Sequence, residues 1–187
     1  MKEMHFRRFT VLIVLVFTVT SLSLVHASSK HQRRGIDINS PFDTALETLQ
    51  KQIRYNFKKI DLLRRAMTHP SFSEENNKAL SVLGADVIDS SISLRFLQKN
   101  IDMSSKDLNE RKLEISKQSS CAVDGTRLGL HKVVRVSPKT NSTAPAVVCG
   151  AFRAIFGAIA IDIGKSDDAG GVFWDVHSGD VGQALAL

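Results

Sequence analysis

From Pro41 onward the apolar positions fall at helical spacing. Phe42, Leu46, Leu49 and Ile53 recur at steps of three and four, which predicts a first helix over Pro41–Tyr55, with Ser40 as N-cap and Pro41 at the first helical position. Asn56-Phe57-Lys58-Lys59 breaks the pattern. Ile60–Thr68 then reads as a short second helix with Leu62, Leu63 and Ala66 inward. Pro70 fixes its own φ and pushes His69 out of the helical region, so that helix stops near Thr68. After the turn, Leu80, Leu83, Val87 and Leu94 recur at spacings of three, four and seven. They predict a long helix from about Asn77 to Asn100, capped by Asn76 or Asn77, with Ile92, Phe96 and Leu97 extending its apolar surface. Gly84 inside that face costs about 1 kcal/mol against alanine, which predicts close approach by a second helix.

The second half of the chain continues in helices. Ser104–Gln118 reads as a more polar helix with Leu108, Leu113 and Ile115 as its apolar positions and Ser104 or Ser105 as cap. Cys121–Leu128 reads as a short helix closed by Gly129. His131–Val136 alternates and reads as extended, and Ser137–Ala144 as a loop. Pro145–Ile163 is apolar nearly all round and is therefore the expected central helix. Lys165–Leu187 is rich in Gly and Asp and reads as a tail in which Trp174 and His177 have no assignable role. No internal repeat is present.

The N-terminus follows a different pattern. Lys2, Arg7 and Arg8 precede an almost wholly apolar or hydroxylic run, Thr10 to Val25, and Val25-His26-Ala27 offers small residues where a signal peptidase reads. Residues 1–27 are thus expected to be a secretory signal peptide, with residues 28–40 a polar, partly basic linker. Two alternatives stand: an uncleaved signal anchor, which is the one route to membrane attachment, and a mitochondrial presequence, which is ordinarily richer in Arg. Cleavage after Ala27 removes three basic residues and one acidic residue, which leaves 22 basic and 18 acidic groups and a net charge of +4 instead of +6. Such an excess permits contact with RNA or membrane and argues for neither. In an oxidising compartment the only two cysteines, Cys121 and Cys149, are a disulfide candidate; free thiols are the alternative for a mitochondrial protein. Asn141-Ser142-Thr143 is a glycosylation acceptor triplet in an expected loop.

The turn Thr68-His69-Pro70-Ser71-Phe72, followed by Asn76, Asn77, Leu80, Leu83, Gly84 and Asp89, resembles the core motif of the ribonuclease III family. Tyr55, Phe57 and Leu62 match the preceding turn in part, Leu128-Gly129-Leu130 a later one, and Phe152, Ala154, Gly157, Ala158, Ile159, Ile161, Asp162 and Gly164 the last helix. The resemblance implies an all-α ribonuclease III endonuclease-like domain over residues 41–164, with 165–187 outside it. It also implies a homodimer, or a dimer with another such domain, formed through helices that include the motif helix. The family cuts double-stranded RNA with divalent metal held by two pairs of carboxylates. Those four positions fall on Ser81, Ala85, Gly150 and Arg153, which removes four negative charges and adds a positive one. The expectation is a catalytically inactive protein without metal or other cofactor, acting as an interaction or assembly factor. Asp86 is turned off the line of the cleft by one helical step, about 100°. Asp89 and Asp162 match acids outside the family's metal set, and capping or ion pairing is the expected role for both. His69 is expected to make a structural hydrogen bond within its turn. No double-stranded RNA-binding module is recognised after Ile163, so affinity for duplex RNA is expected to be weak or absent. An RNA-associated scaffold, such as an organellar ribosome component, is the alternative; an active nuclease comes third.

Overall fold

Pro145–Ile163 is buried along most of its length, including Phe152, Ile155, Phe156 and Ile159, and most of the other helices pack on it. The computed structural model describes residues 40–178, and all of the secondary structure there is helical apart from one bridging pair of residues. In chain order the helices are α1 (Pro41–Gln52), α2 (Ile60–Ala66), α3 (Lys78–Lys99), α4 (Ser105–Ser116), α5 (Gln118–Arg127), α6 (Leu130–Val133), α7 (Pro145–Ile163) and α8 (Ser166–His177). Helix α7 packs most extensively on α3, then on α5 and α8. Among the described residues it is also the one helix long and apolar enough to cross a membrane, but 67% of that apolar stretch is buried inside the fold. Its composition therefore reflects a central place in the domain.

The boundaries follow from local chemistry. The Ser40 hydroxyl accepts the Asp43 amide at 3.1 Å and Pro41 opens α1. Ser104 does the same for Asp107 at the start of α4. Gly129 and Gly164 take left-handed backbone at φ 71° and 79°, which ends α5 and α7.

Four expectations are corrected. First, the buried face of α3 is Leu80, Gly84, Val87, Ile88 and Ile92; Leu83 and Leu94 stand on the outside. Packing on α7 selects the stripe through Gly84, where the backbones meet, and rotates Leu83 away. Second, Asn77 does not cap α3 with its side chain: it is buried and its amide donates to the Ala66 carbonyl at 3.1 Å, while Asn76 Oδ1 accepts the Lys78 amide. Third, the stretch expected to be extended begins as the one-turn helix α6, and only Arg135 pairs, with Thr68. Fourth, half of the Gly/Asp-rich segment expected to be a tail is helix α8. Its Ala169, Phe173 and Val176 are buried, and Phe173 meets Phe152 and Phe156 edge-on at 6.4 and 5.5 Å. The expected signal peptide and all of the expected linker except Ser40 lie outside the described residues.

Candidate functional site

The site is the crossing of α3 and α7. A side chain on Gly84 would run into the Arg153 carbonyl and stand 2.9 Å from the Gly157 nitrogen. One on Gly157 would strike the Leu80 carbonyl. Two glycines facing each other let the helix axes approach until backbone touches backbone. Ser81 and Ala85 lie one turn apart on α3, beside this contact, and Gly150 and Arg153 lie three residues apart on α7. Of the four positions singled out from sequence, Arg153 meets the crossing through its backbone carbonyl, Ser81 and Ala85 flank Gly84 on α3, and Gly150 lies one turn before Arg153 on α7.

Their chemistry is a hydroxyl, a methyl, a hydrogen and a guanidinium. Gly150 is not demanded by packing, because a Cβ there would meet nothing within 4 Å. Arg153 is half-buried, and its Nη2 donates to the Ser116 carbonyl at 2.6 Å, at the C-terminus of α4. A cation suits the negative end of a helix dipole. Asp86 and Asp89 do not pair with it; Asp89 instead faces Lys112 of α4 at 3.7 Å. Among the described residues no three His, Cys, Asp or Glu side chains come together in a way that would hold a metal ion. A hard divalent cation requires oxygen ligands, and the residues at this crossing do not fit one.

The preceding turn is a fastened structure. The Ser71 amide donates to His69 Nδ1 at 3.1 Å, so the proton of the neutral ring sits on Nε2. Ser71 Oγ lies 2.9 Å from the same Nδ1 and accepts the Ser137 amide at 3.0 Å. Burial, with the charge of Lys78 added, lowers the His69 pKa from its ordinary value. Thr68 Oγ1 donates to the Arg64 carbonyl at 2.8 Å and accepts Arg135 Nη2 at 2.6 Å. The Arg135 guanidinium lies 4.2 Å from the Phe42 ring centre and 4.9 Å from that of Phe72. Pro70 tops the turn, half-exposed.

Asp162, near the end of α7, gathers three donors: the Tyr55 hydroxyl at 2.7 Å and the Lys58 and Lys59 amides at 2.8 and 2.9 Å. It therefore caps the start of α2 from another helix. Burial alone would raise its pKa, but these hydrogen bonds and the Lys58 charge outweigh burial and hold it below the ordinary value. Burial and the same carboxylate push the Tyr55 phenol upward. Asp162→Ala leaves three donors unmatched and is expected to cost about 2–4 kcal/mol in urea unfolding at pH 7. Because the folded pKa is depressed, the contribution is fully present above about pH 4 and is lost as pH falls through the folded value. The gap between wild type and Asp162→Ala should therefore narrow progressively as unfolding is repeated at successively lower pH below about 4.

Sequence reasoning missed a second polar centre. Buried Asp124 of α5 accepts Arg127 Nη2 at 2.9 Å and stands 2.6 Å from His177 Nδ1. Arg127 also donates to the Val176 carbonyl, and the His177 ring stacks on Phe173. These contacts latch α8 onto α5. No spacing in the chain signals a pair separated by 53 positions. Cys121 and Cys149 are joined, with Cα atoms 5.0 Å apart, so α5 is also tied to α7.

A sequence profile described as Ribonuclease-III-like matches residues 59–172. The chain is 50% identical over 186 residues to Protein NUCLEAR FUSION DEFECTIVE 2 of Arabidopsis thaliana, a match that covers 96% of this chain and 97% of that protein. It is 31% identical over 123 residues to Ribonuclease 3 of Delftia acidovorans, covering 64% of this chain and 54% of the bacterial protein. The likeness thus spans about half the length of that enzyme. Among solved structures, the nuclease domain of ribonuclease III from Campylobacter jejuni superposes with a TM-score of 0.68 at 26% identity, covering 73% of this chain and 97% of that domain. The profile runs through the glycine crossing, the fastened turn and the first turns of α8, and the chain belongs to the ribonuclease III-like family.

Proposed function

We propose that this protein is a non-catalytic member of the family, which uses the nuclease-domain architecture as an interaction or assembly surface. The observation that carries this reading is the chemistry of α3 and α7: Ser81, Ala85, Gly150 and Arg153 supply no carboxylate, and the Arg153 side chain is held by the Ser116 carbonyl. The family's chemistry needs carboxylates there to bind metal, activate water and steady the phosphoryl transition state. A fixed guanidinium at that place repels a divalent cation. The purified chain, incubated with duplex RNA and Mg²⁺ or Mn²⁺, is expected to give no cleavage that chelator abolishes. Metal-dependent cutting by the purified chain would overturn the reading.

The surface offered is the outer side of α3. Val82, Leu83, Leu94 and Ile101 are exposed there, and Leu94, Leu97 and Ile101 line a groove with Asp89 and Lys112 at its polar edge. Apolar area left on the outside of a small domain marks a contact surface. The occupant proposed is a second domain of the same kind, in line with the C. jejuni nuclease domain, which has a region involved in dimer formation. The leader is proposed to send the chain into the secretory pathway, where the Cys121–Cys149 bond persists. The name of the Arabidopsis relative makes a role in nuclear fusion the process to examine first.

A further inference from the structure

We propose that Asn141 is the attachment point of an N-linked oligosaccharide. The proposal rests on the lumenal reading of the leader given above. Asn141-Ser142-Thr143 is the one Asn-X-Ser/Thr triplet with X other than Pro in the whole sequence. The fold presents it ready for modification. The connection from α6 to α7 runs over the surface; Pro138, Lys139, Asn141 and Thr143 are all exposed. Its start is pinned by the Ser137 amide on Ser71 Oγ, and its end by the Val147 and Val148 amides on the Ala144 carbonyl. Between these anchors the chain makes two tight turns, closed by Thr140 N to the Ser137 carbonyl and Ala144 N to the Asn141 carbonyl.

Within the triplet the side chains are already paired. The Thr143 amide and hydroxyl both donate to Asn141 Oδ1, at 2.9 and 2.8 Å. A backbone N–H is only a donor, so the accepting atom is the oxygen and Nδ2 is the atom turned to solvent. The hydroxyl two residues on, which completes the acceptor triplet, is thus the group that holds the amide in place. In the transfer, Nδ2 attacks the anomeric carbon of an oligosaccharide carried on a pyrophosphoryl lipid. The N–C bond forms as the C–O bond to pyrophosphate breaks. The pyrophosphoryl lipid leaves with the electron pair, and one amide proton passes to a base of the lumenal transferase; no oxidant or reductant is needed. The sugar would stand beside a shallow groove formed by Ala122, Val123, Thr126, Thr143 and Pro145, where Val123 is exposed, and would cover apolar surface on the α5 side of the domain.

The test translates the full chain in the presence of rough microsomes and reads gel mobility with and without an endoglycosidase that removes N-linked sugars, together with protection from added protease. The expected result is a protected chain with a single mobility shift that the endoglycosidase reverses. The shift should vanish in Asn141→Gln and in Thr143→Ala, and persist in Thr143→Ser. Both positions are exposed, so the variants should fold. A protected chain without the shift, or with a shift that survives Asn141→Gln, overturns the glycan and leaves the lumenal reading standing. A chain left open to protease overturns that reading and the glycan together.

Discussion

Gly84→Ala is expected to be the most damaging small substitution in the domain. The new methyl group would enter the space of the Arg153 carbonyl and crowd the Gly157 nitrogen, and both are backbone atoms of a packed helix that no side-chain rotation can clear. Alanine gains about 1 kcal/mol in helix propensity over glycine. Overpacking against backbone lies at or beyond the upper end of the usual 1–3 kcal/mol range, so a net loss of about 3 kcal/mol is expected, a fall in Tm of roughly 10 °C. The matched control is Gly150→Ala in α7, where the added carbon meets open space. It should leave stability unchanged or raise it by about 0.5–1 kcal/mol. Thermal unfolding of the two variants, followed by circular dichroism, decides the point. Equal stability in both would mean that α3 and α7 do not cross at Gly84 and Gly157.

Opening the bond between Cys121 and Cys149 is expected to cost at least as much as the Gly84→Ala substitution. The two positions are separated by 28 residues, and closing a loop of that length restricts the unfolded chain by about 3–4 kcal/mol on the chain-entropy account. Both cysteines are buried between α5 and α7, so the cross-link adds to packing already present. With a urea m-value of about 2 kcal/mol/M, reduction or the double substitution Cys121→Ala, Cys149→Ala should lower the unfolding midpoint by roughly 2 M. Identical midpoints with and without reductant would show that the cross-link does not form in the purified protein.

Much of the helical layout was legible because it is written locally. Pro145 and Gly164 bracket α7, Ser40 and Ser104 cap their helices, and Pro70 ends the run into Thr68. The Thr68–Phe72 turn and the α3–α7 pair were legible through resemblance, and the geometry gives each residue a physical task. What was not legible depends on partners distant in the chain. The α3 stripe alone does not show that Leu83 faces out, because that rotation is set by the contact of Gly84 with Arg153 on another helix. Asp162 looks like one more acid at a helix end until Tyr55 and the Lys58 and Lys59 amides converge on it. The segment after Gly164 looked like a tail because Gly170 and Gly171 weaken any helix signal. Yet Gly170 is where α8 passes close to Ser91: a Cβ there would stand 2.6 Å from its hydroxyl.

Helix α8 also bears on how the protein is handled. Trimming the polypeptide after Gly164, at what looks on paper like a natural seam, would strip the aromatic cover from Phe152 and Phe156 and strand the Asp124 carboxylate without His177. A shortened version of that sort should clump rather than behave as an independent nuclease-like unit, so any fragment meant for the bench has to run at least as far as Ser178.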